Sequence, residues 1–278
     1  TPPLVLCLDQ MVCGAAASSL VGPGEASAAP CGSSPASRRG PQECREITAK
    51  PYAPMGPVET FAAATGHRAQ GLWAFDTLNP NCWASALEYL RRSSADVVMV
   101  QETKLQSGDP SLSGEAAART AGWKASILAC ATSACGGRSA GIAVGCRAHI
   151  GLGAAFEGNP LTTGQTGRFA LRRVSCVCRG GITVGSAYLH TSVGAGAKVN
   201  LDLLHCMAMQ LAWVKGPWII GADWNCTPDE LRSTGWLQLV DGVIVEPPTA
   251  SCGDRTLDFF VVSRHLEHAV HSVFVIED

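Results

Sequence analysis

Charge of one sign, long apolar runs and paired cysteines are all scarce in this sequence, and each scarcity closes a class of protein. Only 16% of the 278 residues are charged, and 21 Lys and Arg stand against 23 Asp and Glu for a net charge of −2. A polycation that holds nucleic acid by counterion release alone is therefore excluded, and any nucleic-acid contact must be made by a local site. No apolar run approaches the roughly 18–20 residues that a bilayer span needs. The longest, around Val97–Val100, are strand-sized. The opening Leu4-Val5-Leu6-Cys7-Leu8 is too short for a secretory signal and lacks its basic flank. The first residue is Thr, which reads as a piece of a longer frame. The 13 Cys are an odd number and include no Cys-x-x-Cys pair. They are expected to be reduced, mostly buried thiols, which points to an intracellular setting, the nucleus included; the lack of a spanning run points to no membrane partner. Cys176 and Cys178 are expected on one face of a strand.

What is present divides unevenly along the chain. Residues 1–70 hold nine of the 16 Pro, with Ala, Ser and Gly runs such as Ala15-Ala16-Ala17-Ser18-Ser19, while all seven Trp lie beyond residue 70. Such a composition buries too little apolar area to repay its ordering entropy, so residues 1–70 are expected to be disordered or low-complexity and the folded domain to span 71–278. At 28.9 kDa with 46% apolar residues, the chain can bury one substantial core. Within the domain, Trp83, Leu87 and Leu90 recur at helical spacing, and Leu201, Leu204, Ala208 and Leu211 share a second helical face closed by Gly216-Pro217. Strands are expected over 95–100, 126–129, 140–146, 169–178, 182–189, 218–220, 257–262 and 270–276. Hairpins mixed with helical crossovers suggest a layered α/β fold with mixed sheets.

Polar groups stand at the ends of the most hydrophobic strands or just before a helix: Asn79 with Asn81, Glu102, Asp223 with Asn225, and Asp258. Taken singly each has a bland reading, as a turn residue, a strand-end cap or a surface carboxylate. Together, carboxylates and amide oxygens at converging strand ends are the donor set of a hard cation such as Mg²⁺.

Four segments carry a resemblance: Thr77-Leu78-Asn79-Pro80-Asn81, Val98-Met99-Val100-Gln101-Glu102-Thr103-Lys104, Trp218 through Gly221-Ala222-Asp223-Trp224-Asn225, and Thr256-Leu257-Asp258-Phe259-Phe260. In order and spacing they resemble the endonuclease/exonuclease/phosphatase family, which includes apurinic endonucleases, inositol phosphatases, sphingomyelinases and the endonucleases of non-LTR retroelements. The resemblance covers about residues 71–278. It implies an α/β four-layer sandwich, two mixed β-sheets packed face to face and flanked by helices. It also implies hydrolysis of phosphodiester bonds with Mg²⁺ or Mn²⁺, Glu102 being the principal metal ligand and Asn79 completing the metal or phosphate site. Asp223 and Asn225 would position the attacking water and the phosphate oxygens, with Tyr188 and His190 placed for phosphate contact. The compact strand endings and Tyr188-Leu189-His190 look most like the retroelement branch, so DNA is the expected partner, with no obligate protein partner. No segment suits a lipid or inositol head group, which leaves phosphatase or sphingomyelinase-like action behind.

The pattern also breaks. Family enzymes end in Ser-Asp-His, whose His is oriented by the Asp that Asp258 matches; this sequence runs to Glu277-Asp278 without it. The domain is thus expected to lack its last strand and His motif, and a truncated, catalytically inactive domain is the competing reading. His265, His268 and His271 do not replace it, because three-residue spacing rotates the third away from the first on a helix, and Val270, Val273 and Val275 read as a strand. Arg168, Arg172, Arg173 and Arg179 read as a solvated hairpin face, or as the border of a nucleic-acid groove.

Overall fold

The computed structural model describes residues 2–10, 66–132, 137–156 and 167–276, which belong to one compact unit. Its first sheet runs in the order β14-β1-β2-β3-β7-β4. These strands are β1 (Leu4–Asp9), β2 (Leu72–Leu78), β3 (Val97–Val100), β4 (Trp123–Leu128), β7 (Ile142–Arg147) and β14 (Val270–Val275). The second sheet runs β12-β13-β11-β10-β9-β8. It contains β8 (Leu152–Ala154), β9 (Phe169–Val174), β10 (Ile182–Tyr188), β11 (Trp218–Asp223), β12 (Gly242–Val245) and β13 (Asp258–Ser263). Two short strands, β5 (Ala131–Thr132) and β6 (Arg138–Ser139), pair with each other.

Each sheet is antiparallel except for one parallel pair at its centre, β2 with β3 and β10 with β11. A parallel pair needs a crossover, and each gets a helix: α1 (Trp83–Arg92) joins β2 to β3 and, after α2 (Asp109–Thr120) between β3 and β4, α3 (Lys198–Leu211) joins β10 to β11. Both strands of a parallel pair end at the same edge. All four central strands therefore release their next residues toward loops rather than hairpins, and those residues are Asn79, Gln101, Leu189 and Trp224.

Alternation along the strands separates the layers. Leu4, Leu6, Leu8, Phe75, Val97 and Met99 of the first sheet pack with Val184, Ile219, Phe260 and Val262 of the second, forming the core between the sheets. On the outer face of the first sheet, Val5, Ala74, Val98 and Trp123 pack under Trp83, Ala86 and Leu90 of α1. On that of the second, Leu171, Ile220, Trp224 and Phe259 pack under Leu203, Leu204 and Met207 of α3 and under Trp236. The result is the expected four-layer α/β sandwich of two mixed sheets flanked by helices.

The first strand corrects the expected domain start. Leu4–Asp9 is not part of a disordered tail; it is paired on both sides, with β14 and with β2, and Leu4, Leu6 and Leu8 are fully buried. Composition averaged over 1–70 hid a six-residue strand whose burial on both faces leaves no polar alternation to read. Residues 11–65, the bulk of that segment, lie outside the described residues. A second correction concerns Cys176 and Cys178: β9 ends at Val174, and the two lie in a turn with Val177 at a φ of 66°. The nine described cysteines form no disulfide with one another. No helix among the described residues is long and apolar enough to cross a membrane.

If β1 is integral to the sheet, Leu6→Ala should lower stability by about 2–5 kcal/mol, the usual cost of truncating a fully buried Leu. Urea unfolding would measure it. A loss below about 0.5 kcal/mol, typical of surface positions, would return residues 4–9 to the tail.

Candidate active site

The strand ends of the two parallel pairs meet. Asn79, one residue past β2, donates its Nδ2 proton to Asp223 Oδ2 at 2.9 Å, which ties the first sheet to the end of β11 in the second. Glu102, two past β3, accepts the Tyr188 hydroxyl on Oε1 at 2.8 Å, which ties the first sheet to the end of β10. Tyr188 and Asp223 are register partners across the parallel pair, and Asp223 and Asp258 across the neighbouring antiparallel one. The sequence-expected residues Asn79, Glu102, Tyr188, Asp223 and Asp258 thus stand at one end of the sandwich.

Local sequence explains how each is presented. In Gly221-Ala222-Asp223-Trp224-Asn225, period-2 alternation sends Trp224 to the outer core, where it stacks on Phe259 at 5.4 Å and donates to the Phe259 carbonyl at 2.9 Å. Asp223 and Asn225 accordingly face the other way. The chain then turns directly into α4 (Pro228–Ser233), whose Thr227 and Glu230 cap each other reciprocally. Asn79 forms an Asx turn, its Oδ1 accepting the Asn81 N–H at 3.2 Å.

Backbone strain collects here. Asn81, Glu102, Lys104 and Asn225 have φ of 64°, 51°, 53° and 50°. For Glu and Lys the left-handed region costs on the order of 1 kcal/mol or more and persists only where surroundings enforce it. One consequence is that Glu102 and Lys104 both turn toward the cleft: the Lys104 ammonium donates to Asn81 Oδ1 and lies 3.9 Å from Glu102 Oε2.

Two expected residues are held otherwise than the sequence suggests. Asn225 gives its N–H to Asp223 Oδ1 at 3.0 Å and its Nδ2 proton to the Leu189 carbonyl at 3.0 Å, so it fixes the strand end beside it. His190 is held through its backbone, with Asn200 of α3 accepting its N–H at 2.8 Å and donating to its carbonyl at 3.1 Å. Sequence reading missed Asn200, Lys104 and Ser251, which takes the N–H groups of Leu257 and Asp258. An Asn at the start of the helical run that holds Leu201 and Leu204 was the available signal for Asn200. The other two carry none, because their roles arise only on folding.

Three carboxylates in one place are costly without a counter-charge. Burial pushes Asp223 upward and the nearby Glu102 adds to this, against the lowering by its two donors Asn79 and Asn225. Burial, and then Asp223, push Asp258 up to about 7. Asp258 is 2% exposed and its Oδ2 has no hydrogen-bond partner among the described residues. Burial, followed by the bond to Glu102, also raises the Tyr188 phenol, which keeps it a donor. Burial and the Arg168 charge lower His190, which favours the neutral imidazole.

The donor set suits a hard divalent cation: carboxylate and amide oxygens, with no thiol. Among the described residues no three His, Cys, Asp or Glu side chains form a ready cage. Mg²⁺ does not require one, since it keeps several waters and takes one or two carboxylates. His265 and His268 fall on a 3₁₀ turn, Arg264–Ala269, and His271 on β14, so they form no metal group. Two cavities lie away from this end, one of about 160 Å³ between β1, β2 and α1 and one of about 480 Å³ around Cys178, Trp218 and His265. Neither is lined by a residue of the strand-end cluster.

No protein-family model matches the sequence, and no curated protein sequence does. Similar solved structures include the human Nocturnin catalytic domain with bound sulfate, at 17% identity and a TM-score of 0.42 over 66% of this chain and 73% of that one. An endonuclease/exonuclease/phosphatase family protein from Leptotrichia buccalis matches at 12% identity and a TM-score of 0.44, over 68% and 86%. A β toxin from Staphylococcus aureus, in a β-hairpin deletion mutant, matches at 12% and 0.44, over 68% and 85%. At these values the likenesses are loose.

The electrostatics generate a stability prediction. A carboxyl whose folded pKa lies above its unfolded value contributes stability that is present below the unfolded pKa, near 3.8 for Asp258, and lost as pH rises through about 7. In chelator, Asp258→Asn should therefore gain melting temperature relative to the wild type as pH rises from 5 to 8.5. A gap that stays constant over that range would mean Asp258 is not held in its acid form.

Proposed function

We propose that the chain is a divalent-metal-dependent hydrolase of phosphodiester bonds, a DNA endonuclease of the retroelement type within the endonuclease/exonuclease/phosphatase family. One observation supports this above the rest: the Asn79–Asp223 and Glu102–Tyr188 hydrogen bonds bring an amide, two carboxylates and a phenol from both sheets to neighbouring strand ends. Separate strand-end caps have no need of such convergence.

Glu102 and Asn79 would hold Mg²⁺ or Mn²⁺, which when bound offsets charge on the phosphoryl oxygens of an anionic diester. The chain's own groups do the rest. Asp223, oriented through both oxygens by Asn79 and Asn225, is the acceptor for a proton of the attacking water. Tyr188 stays protonated and donates, holding Glu102 in place. His190, neutral near pH 7, is a hydrogen-bond donor for a phosphate oxygen. Asn225 stabilises the loop between β10 and the water's acceptor without adding negative charge.

Plasmid nicking in Mg²⁺ and Mn²⁺ tests this. Asp223→Asn should slow nicking by about 10²–10⁴-fold, as for loss of a general base. Glu102→Gln should weaken Mn²⁺ binding by calorimetry, and bis-p-nitrophenyl phosphate should be cut in preference to the monoester. Equal Mn²⁺ affinity of the two proteins would remove Glu102 from its role, and preference for the monoester would make the chain a phosphatase.

The unpartnered Asp258 Oδ2 favours a second reading, binding without turnover, since no imidazole among the described residues is bonded to it. Exogenous imidazole separates the two. If an imidazole bonded to Asp258 is what the reaction needs, added imidazole should accelerate nicking by the wild type and leave Asp258→Asn unchanged. Equal acceleration of both would show that Asp258 orients nothing.

A further inference from the structure

Arg168 encloses Tyr188 from three directions. Its own carbonyl accepts the Tyr188 N–H at 2.9 Å. Its Nη1 donates to the Tyr188 and Leu189 carbonyls at 3.2 and 3.4 Å, and its guanidinium carbon sits 5.0 Å from the centre of the Tyr188 ring. Nη2 is anchored on Ser139 Oγ at 3.1 Å, so the fork is also held from β6. This cation feels the charge of Glu102 yet forms no ion pair with a carboxylate among the described residues. Burial and the loss of water around it are compensated by carbonyls and a ring face instead.

A guanidinium so placed does two things. It removes the freedom of the last residue of β10 to twist, and it covers the ring that carries the hydroxyl bonded to Glu102. We propose that Arg168 is a positioning residue for the cleft: by locking the Tyr188 ring and carbonyl, it commits the phenol proton to Glu102 Oε1 and so fixes the carboxylate's orientation. Arg168 itself touches neither the carboxylates nor the water's acceptor. The inference rests on the hydrolytic reading of the cleft and assigns that reading a support residue. Lys is not an equivalent, because an ammonium can reach a carbonyl but offers no plane to lie over the ring.

Supporting partners of this kind are typically worth about 10–100-fold in metal affinity or activity. Arg168→Met and Tyr188→Phe should each raise the Mn²⁺ dissociation constant and lower kcat by about 10-fold, with KM for plasmid within about twofold. The double variant should be no worse than Tyr188→Phe, since one acts through the other. Arg168→Lys, the safer variant for folding, should keep the loss. Losses that multiply in the double variant, or a raised KM with unchanged kcat, would overturn the proposal and make Arg168 an independent phosphate contact. A crystal structure of Arg168→Lys judges the geometry whether or not the wild type cleaves DNA: the Tyr188–Glu102 bond should be broken, and its retention at 2.8 Å would also overturn the proposal. A wild type that neither binds Mn²⁺ nor nicks would instead fail the hydrolytic reading, with the crystal structure still deciding the role of Arg168.

Discussion

The Gln101 side-chain amide is the constraint on which the rest depends. It is fully buried between the two sheets, and its Nε2 lies within hydrogen-bond reach of Thr77 Oγ1 at 3.1 Å, Ser186 Oγ at 3.0 Å and the Gly221 carbonyl at 3.2 Å. Ser186 in turn donates to the Val100 carbonyl at 3.0 Å. One side chain thus joins all four central strands, and the apolar core around it makes any slip costly. Each buried polar group left unpaired costs about 1–3 kcal/mol. Two apolar faces can slide over one another with little penalty, whereas this network holds only at one offset. Gly221 shows how close that offset is: a Cβ there would lie 2.8 Å from the Met99 sulfur and from Thr77 Cβ.

The network lies directly beneath the cleft. Gln101 precedes Glu102, Ser186 stands two residues before Tyr188, Gly221 two before Asp223 and Thr77 two before Asn79. Fixing the offset between the sheets therefore fixes the spacing of the strand-end groups, and the Asn79–Asp223 and Glu102–Tyr188 bonds are the visible outcome. The same rigidity lets left-handed Glu102 and Lys104 persist. Strain and like charge are tolerated at this end because packing elsewhere over-determines the backbone.

How much of this the sequence revealed depended on the range of the interaction involved. Val97–Val100 and the first half of Trp218–Asp223 were legible as strands because they are short apolar runs bounded by turn residues, whereas Gly221 was read as the end of a strand that runs on to Asp223. Their polar ends, Glu102 and Asp223, stood out for the same reason. Leu4–Asp9 was not legible: it is as apolar as β3, but the Pro-rich composition that follows it dominated the reading, and its partners β2 and β14 lie 63 or more residues away in the chain. Asn225 and His190 were recognisable as polar strand-end residues, but not the partners that hold them. Whether Asn225 faces a ligand or the Leu189 carbonyl is decided by the approach of β10 to β11, and no local pattern encodes that approach. Arg168 was visible only as one arginine among several. Its ring and carbonyl contacts exist only once β9 and β10 have paired.

If the ends of both parallel strand pairs form a single cation site headed by Glu102, crystals soaked in Mn²⁺ and measured at the manganese absorption edge will reveal it. An anomalous peak is expected within about 2.5 Å of a Glu102 carboxylate oxygen, a hard-cation ligand distance, on the side of the cleft shared with Asn79 and Asp223. A crystal with Mn²⁺ bound only elsewhere, and this cleft free of it, would contradict it.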